Sequence, residues 1–334
     1  MARIAINGFG RIGRLFFRQG FGLPGFDIVA INDLGDAKTL AYLLTYDSVY
    51  RTYEKKVEEK NGNLVVDGKE IIITQKKEPK ELPWKELNID IVIESSGFFT
   101  SSESAKAHLD AGARRVIITA PATGDVVTAL VGVNEDRFQA KPSITCNASC
   151  TTNSVAPVVS ILHSAFGIQK ASMATVHSYT ATQKIVDGPD AKDMRRGRAA
   201  AVNIVPSTTG AAEAVIQAVP ELKGKFSAVA MRIPSITGSL SIITALLEKR
   251  ALPEEINKTF ETAARSSQWS ETLTVTRDQI VSSDIIGSPY GAIIDLLLTQ
   301  VTDGNLATVF SWYDNEFGYT ATLIKHVERV IKNL

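Results

Sequence analysis

The chain has two cysteines, Cys146 and Cys150, and the second stands in the segment NASCTTN (147–153), between Ser149 and Thr151. An apolar stretch with helical character follows it. A thiol at a helix start meets unpaired backbone N–H groups and the positive end of the helix dipole, and both favour thiolate. Small hydroxyl neighbours leave room for a substrate. The plain alternative is that Cys150, like Cys146 at the end of an apolar strand, is a small buried hydrophobe. A nucleophilic thiolate also needs a base or cation nearby, and the histidines are His108, His163, His177 and His326. His163 falls inside the helix predicted after Cys150 and reads as a packing or surface residue. His177 lies near the end of the strand-like ASMATVHSYT (171–180), where site residues are often presented, but spacing alone leaves the partner undecided.

Anion binders are also available. Arg195, Arg196 and Arg198 lie in a polar stretch (181–203) whose length inside a compact domain points to function, and Arg232 follows further on. STTGAAEA (207–214) places hydroxyls and a glycine at a helix start, a second anion-binding arrangement. The histidines show no ligand spacing around the two cysteines, so no metal is expected.

A second constellation opens the chain. RIAINGFGRIG carries Gly8, Gly10 and Gly13 where a strand turns into a helix, the geometry that lets a pyrophosphate approach backbone N–H groups. The next strand, DIVAIN (27–32), leads into Asp33, 20 residues after Gly13, where a carboxylate can accept from ribose hydroxyls. That carboxylate would repel a 2′-phosphate, which favours NAD over NADP. A glycine-rich turn alone would be only a tight turn; strand, glycines and acid in register make it a dinucleotide signal.

The elements that must position these groups follow from pattern. The first 150 residues or so alternate short β-branched runs (RIAIN, DIVAIN, DIVIES, RRVIIT, SITCN) with helical ones, as in a parallel sheet covered on both faces. Asn61-Gly62 and Asp67-Gly68 predict a local antiparallel excursion. The second half has longer strands and fewer helices, consistent with a largely antiparallel sheet covered on one face. The fold class expected is α/β: a Rossmann-type doubly wound parallel sheet plus an α+β catalytic domain. The expected domains are 1–148 for NAD, 149–314 for catalysis, and a helix, 315–334, packing back on the first. Composition is 44% hydrophobic with 36 basic and 36 acidic residues in 334, so no basic excess points to nucleic acid. No leader pattern and no membrane-length apolar run is present, and the two cysteines cannot build a disulfide framework, so a soluble cytoplasmic protein is expected.

A nicotinamide cofactor with a cysteine nucleophile points to aldehyde oxidation through a thiohemiacetal and a thioester. Here the residues resemble a known family, phosphorylating glyceraldehyde-3-phosphate dehydrogenase of the bacterial glycolytic type. The resemblance runs through INGFGRIGR, INDL, VIESSG, RVIITAPA, ASCTTN, TVHSYTATQ, VDGP, PSTTGAA, PELKGK, MRIP and SWYDNEFGY, and ASCTTN with TVHSYT is the most specific part. It implies that Cys150 is the nucleophile and His177 its activator and acid/base. Thr180 and Arg232 match positions that bind the substrate's C3 phosphate. Ser149, Thr151, Thr209 and Gly210 match the site of the attacking inorganic phosphate, with Arg196 between the two. On the cofactor side it implies backbone contacts from Arg11 and Ile12 to the pyrophosphate, ribose recognition by Asp33, and Ser96, Thr119 and Asn315 near the nicotinamide. The Gly188-Pro189 segment resembles the loop of NAD-preferring members, and family members are usually homotetramers in which the 181–203 loop approaches a neighbour.

The chain departs from the family pattern after Arg232, where IPSITGSLSIIT puts Thr244 in place of an expected Asp, and at GYTAT. Those changes bear on subunit packing rather than on the proposed catalytic atoms. The rivals are an erythrose-4-phosphate dehydrogenase, which would release the acid by hydrolysis, and a non-catalytic NAD-binding redox sensor using Cys150 as a switch. Neither membrane nor nucleic-acid partners are expected.

Overall fold

The computed structural model describes residues 1–191 and 193–334; Lys192, in the 181–203 stretch, lies outside the described residues. The chain divides into two compact units. One comprises Met1–Ala129, Glu135–Ala148 and Leu323–Leu334, and the other comprises Leu130–Asn134 and Ser149–Thr322.

In the first unit the β-branched runs pair into one sheet. Its order from one edge is Val127–Thr128, Ile144–Cys146, Arg115–Ile118, Ile91–Glu94, Ala2–Asn7, Phe26–Asn32 and Lys69–Thr74, all parallel, then Asn63–Val66 and Val57–Lys60, antiparallel. Strands covered on both faces need apolar side chains on both, and Ile4, Ile6, Ile91 and Ile93 on one face and Ala5 and Val92 on the other are accordingly fully buried. The antiparallel excursion turns at Asn61-Gly62 and Asp67-Gly68. All four residues have positive φ, as the tight hairpin turn that matches strand twist requires. Ala2–Asn7 lies inside the sheet, with Phe26–Asn32 on one side and Ile91–Glu94 on the other. The chain therefore reverses its direction of winding between Ala2–Asn7 and Ile91–Glu94, and a crevice opens at the carboxyl ends of those two strands.

The carboxyl-terminal residues of this unit seat a buried imidazole. His326 Nδ1 lies 3.0 Å from the Ala129 carbonyl and Nε2 lies 2.8 Å from Thr145 Oγ1, with the ring edge-on to Phe138. The carbonyl can only accept, so Nδ1 carries the proton and Nε2 accepts from Thr145. Burial pushes the His326 pKa down to about 3.

The second unit holds a sheet in the order Val205–Ser207, Phe226–Ile233, Ile168–Ser178, Ser239–Leu247, Leu306–Tyr313, Ala292–Asp295 and Leu273–Thr276, with Gln300–Thr302 also pairing with Leu306–Tyr313. It is largely antiparallel; Ile168–Ser178 with Phe226–Ile233 and Leu273–Thr276 with Ala292–Asp295 are its parallel pairs. Ser239–Leu247 alternates strictly between buried and half-buried residues, the mark of a sheet covered on one face. The helix Cys150–Phe166 covers that face and is buried almost continuously from Thr151 to Leu162. Pro157 is its eighth residue, well past the first turn, and the helix continues through it. Packing on nearly all sides outweighs the lost backbone hydrogen bond. Gly167, at φ 71°, ends the helix.

Candidate active site

In the first unit Gly8, Gly10, Asp33 and Ser96 line one cavity of about 540 Å³, together with Asn7, Lys76 and the exposed Leu34 and Phe98. The glycines differ in their reasons. Gly8 has φ +92°, and a Cβ there would stand 2.5 Å from the Ser96 backbone; a Cβ on Gly13 would stand 2.2 Å from the Gly8 carbonyl oxygen. A side chain at either position would force the turn and the helix apart. Gly10 has open space where a Cβ would be, which is the room a pyrophosphate needs. Gly10 is also the residue before the helix Arg11–Gly20, which has no side-chain cap and no acidic residue in its first turn. Its N-terminus, formed by Arg11, Ile12 and Gly13, is a ready anion cradle. The Arg11 side chain pairs with Asp47, so it is the backbone of Arg11 that such a ligand would meet.

Asp33 accepts from Phe9 N at 2.7 Å and from Gly35 N at 2.8 Å. The carboxylate thus ties the end of its strand to the glycine-rich turn and keeps lone pairs for a ribose. Thr119 follows the strand Arg115–Ile118, where its N–H donates to the Glu94 carbonyl at 3.0 Å; it does not line this cavity. Lys76 and Phe98 carried no sequence signal, because they lie outside the quoted motifs, and Leu34, though inside INDL, has no side-chain chemistry to mark it. The cradle, the open Gly10 and the placed carboxylate fit a dinucleotide.

In the second unit Ser149 caps the helix Cys150–Phe166 through a hydrogen bond from Thr152 N to its Oγ, at 3.1 Å. That start delivers Cys150, half-buried, with Sγ 3.4 Å from His177 Nε2. His177 is the penultimate residue of the strand Ile168–Ser178, and Arg232 sits beside it in register on the neighbouring strand. Arg232 Nη1 lies 2.5 Å from His177 Nδ1 and 3.2 Å from the Ser178 carbonyl, which itself lies 2.7 Å from Nδ1. The guanidinium can hydrogen-bond Nδ1 only through a lone pair, whereas the carbonyl requires Nδ1–H. As hydrogen bonds the two contacts exclude each other, so which of them forms fixes the tautomer.

Electrostatics qualify the expectation of a resting thiolate. Burial pushes the Cys150 thiol up, opposed chiefly by the Arg232 charge and the Thr151 hydrogen bond. The gain at the helix start is outweighed by desolvation of the sulfur. Burial and then Arg232 bring His177 down to about 3, so its imidazole is neutral at pH 7. His163 is turned elsewhere; its Nδ1 accepts from Ile168 N at 3.1 Å.

The remaining predicted residues are less uniformly aimed. Thr151 is buried, with Oγ1 3.0 Å from the Tyr313 hydroxyl, which also meets Thr175 Oγ1 at 2.7 Å. Tyr313 is edge-on to His177 and was not singled out, although SWYDNEFGY contains it. Thr209 Oγ1 accepts from Ala211 N at 3.1 Å, next to Gly210 at the start of Ala211–Ala218. Arg196 Nη2 donates to the Thr208 carbonyl at 3.3 Å, and Thr180 Oγ1 is 3.0 Å from Thr182 Oγ1. Asn315 Oδ1 accepts from Gly238 N, Ser239 Oγ and Thr237 Oγ1 at 3.0–3.3 Å, which fixes its amide orientation.

Comparison with known proteins agrees in both units. The family model for the glyceraldehyde 3-phosphate dehydrogenase NAD-binding domain matches residues 2–102, and that for the C-terminal domain of the same enzyme matches 149–315. The chain belongs to the glyceraldehyde-3-phosphate dehydrogenase family. Relatives named glyceraldehyde-3-phosphate dehydrogenase include one from Thermotoga maritima, 52% identical over 99% of this chain and 100% of the relative. Another, from Mycoplasma pneumoniae, is 50% identical over 99% and 97%, and one from Clostridium pasteurianum is 46% identical over 99% of each. The match to an NAD-binding domain makes NAD the cofactor of this chain.

Proposed function

We propose that the chain carries out NAD-dependent oxidative phosphorylation of D-glyceraldehyde 3-phosphate to 1,3-bisphosphoglycerate, with Cys150 as nucleophile and His177 as acid/base. The observation that carries this reading is the 3.4 Å approach of Cys150 Sγ to His177 Nε2 with Arg232 beside the same ring. A substrate phosphate that draws the guanidinium away lets Nδ1–H donate to the Ser178 carbonyl and leaves the Nε2 lone pair facing the thiol. The thiol proton passes to Nε2 as sulfur bonds to the aldehyde carbon, and the imidazolium returns a proton to the carbonyl oxygen, giving a thiohemiacetal. Bound NAD supplies the acceptor for the hydride that leaves this carbon. Nε2, neutral again, takes the hydroxyl proton in that step, and a thioester remains on Cys150. A phosphate oxygen then attacks the thioester carbonyl and expels the thiolate, with Ser149, Thr151, Thr209, Gly210 and Arg196 as the proposed phosphate site and Thr180 with Arg232 holding the C3 phosphate. Ser96, Thr119 and Asn315 are proposed at the nicotinamide end, with Asp33 at the ribose.

We assign the expected 1–148 to cofactor binding and 149–314 to catalysis, with two adjustments: Leu130–Asn134 goes with the catalytic unit, and of the expected 315–334 segment only Leu323–Leu334 goes with the cofactor unit. A homotetramer in the cytoplasm is proposed on two supports. Ile185, Val186, Met194 and Val202 in the 181–203 stretch are all highly exposed, as apolar residues that meet a neighbouring subunit would be in a single chain. Among the described residues no helix is long and apolar enough to cross a membrane, and both cysteines are free thiols. Thr244, in place of the expected Asp, meets Thr308 Oγ1 across the strand pair at 3.1 Å.

The deciding experiment is NADH formation from NAD and glyceraldehyde 3-phosphate with and without inorganic phosphate, with erythrose 4-phosphate as competing substrate. Strong phosphate-dependent turnover of the triose is expected. Phosphate-independent turnover of the tetrose would establish the hydrolytic rival instead, and NAD binding without turnover would establish a redox sensor.

A further inference from the structure

Beneath the cofactor cavity lies a polar chain of which the proposed mechanism uses only Ser96. Glu94, 1% exposed, ends the strand on one side of the winding reversal, and Asn7, 3% exposed, ends the strand on the other. Glu94 Oε2 accepts from Asn7 Nδ2 at 2.5 Å and from His108 Nε2 at 2.9 Å, while Oε1 accepts from Ser96 N at 2.9 Å and from Ser96 Oγ at 2.5 Å. The roles are not interchangeable. The Trp84 indole N–H can only donate, and it meets His108 Nδ1 at 3.0 Å, so Nδ1 is the acceptor and Nε2 carries the proton toward Glu94. With its amide nitrogen committed to Glu94, Asn7 presents Oδ1 to Asn32 Nδ2 at 2.7 Å, and Asn32 Oδ1 in turn accepts from Thr74 Oγ1 and Lys76 N, each at 2.9 Å. The Trp84 N–H thus sets the His108 tautomer, the Glu94 carboxylate, which can only accept, sets the Asn7 amide, and the Lys76 backbone sets the Asn32 amide.

We propose that Glu94, backed by His108, is a positioning residue that holds the Ser95–Ser96 turn against the glycine-rich turn at the spacing the dinucleotide needs. Ser95 Oγ donates to the Gly8 carbonyl at 2.7 Å, and the Ser96 backbone fills the space a Cβ on Gly8 would take. A shift of Ser96 is thus passed to Gly8 directly. Charge-assisted bonds to a buried carboxylate are stronger than neutral ones, and losing one acceptor leaves a buried donor unpaired. The inference rests on NAD occupying this cavity, which wild-type binding checks independently.

Glu94→Gln keeps the shape but replaces one acceptor oxygen with NH₂, which must then face either Ser96 N–H or the pair Asn7 Nδ2 and His108 Nε2–H, donors all. The expected result, read by quenching of intrinsic fluorescence on titration with NAD, is a Kd raised about tenfold. KM for NAD rises in step, while kcat, KM for the aldehyde and the rate of Cys150 alkylation without NAD stay within about twofold of wild type. His108→Gln, whose amide can accept from Trp84 and donate to Glu94, keeps near-normal NAD affinity, whereas His108→Leu loses it. A folded Glu94→Gln protein that binds NAD like wild type overturns the proposal. So does a parallel loss of NAD affinity, kcat and alkylation rate, which would mark a general structural role. Should Glu94→Gln not fold, the contrast between His108→Gln and His108→Leu decides: equal NAD affinities refute the proposal.

Discussion

Acid should destabilise this protein through its buried imidazoles, and His326 isolates the effect. Its folded pKa is about 3 against an ordinary value of 6.5, because burial disfavours the charged ring and the Ala129 carbonyl only partly compensates. A depressed folded value means that the unfolded chain binds the proton first. The stability conferred by neutral His326 is therefore complete above about pH 7 and is lost progressively as pH falls from 6.5 toward 3. One proton taken up on unfolding corresponds to a slope of about 1.4 kcal/mol per pH unit, or about 2 kcal/mol lost by pH 5. His177, brought down to a similar value, adds a second proton, and carboxylates add others below that. Replacing His326 with Phe removes only its own proton. The baseline stability also drops, because the Thr145 hydroxyl loses its acceptor, but the slope does not depend on the baseline. Urea unfolding followed by circular dichroism at pH 7.5, 6 and 5 gives both slopes. The wild-type slope should exceed that of His326→Phe by about 1.4 kcal/mol per pH unit between pH 6 and 5. Parallel lines would refute the reasoning, since they would mean that His326 is protonated in the folded state as readily as in the unfolded one.

Cys150→Ser should abolish aldehyde oxidation while leaving the NAD dissociation constant within about twofold, because hydroxyl nucleophilicity at neutral pH falls far short of a thiolate's; appreciable turnover in a coupled NADH assay would remove Cys150 from the chemistry. Asp33→Gly should weaken NAD about tenfold and narrow the preference over NADP, since it deletes both the ribose acceptor and the anchor of Phe9 N–H. Titration with the two cofactors measures this, and an unchanged preference would assign ribose recognition to another group.

Much of this was legible in local pattern. The glycines at 8, 10 and 13 and the acid at 33 mark a strand-turn-helix whose geometry is dictated within about 30 residues, so type and spacing were enough to place them. The Asn61-Gly62 and Asp67-Gly68 turns were equally local, because positive φ is a property of the residue and its neighbour. Pairings across the chain were not legible. His177 stood undecided against His163 on spacing, and the choice depends on strand register, which brings His177 beside Arg232 and within reach of Cys150.

Sequence by itself determined the element types, the two-part organisation and the short motifs that carry the candidate groups, since periodicity, turn chemistry and side-chain functionality are properties of short windows. Tertiary structure decided what state those groups are in. The upward push on the Cys150 thiol, the neutral His177 and His326 and the one-way hydrogen bonding from Trp84 through His108 to Glu94 all arise from burial among residues distant in the chain. Desolvation and hydrogen-bond direction depend on everything that surrounds an atom, and no window of sequence contains that surrounding.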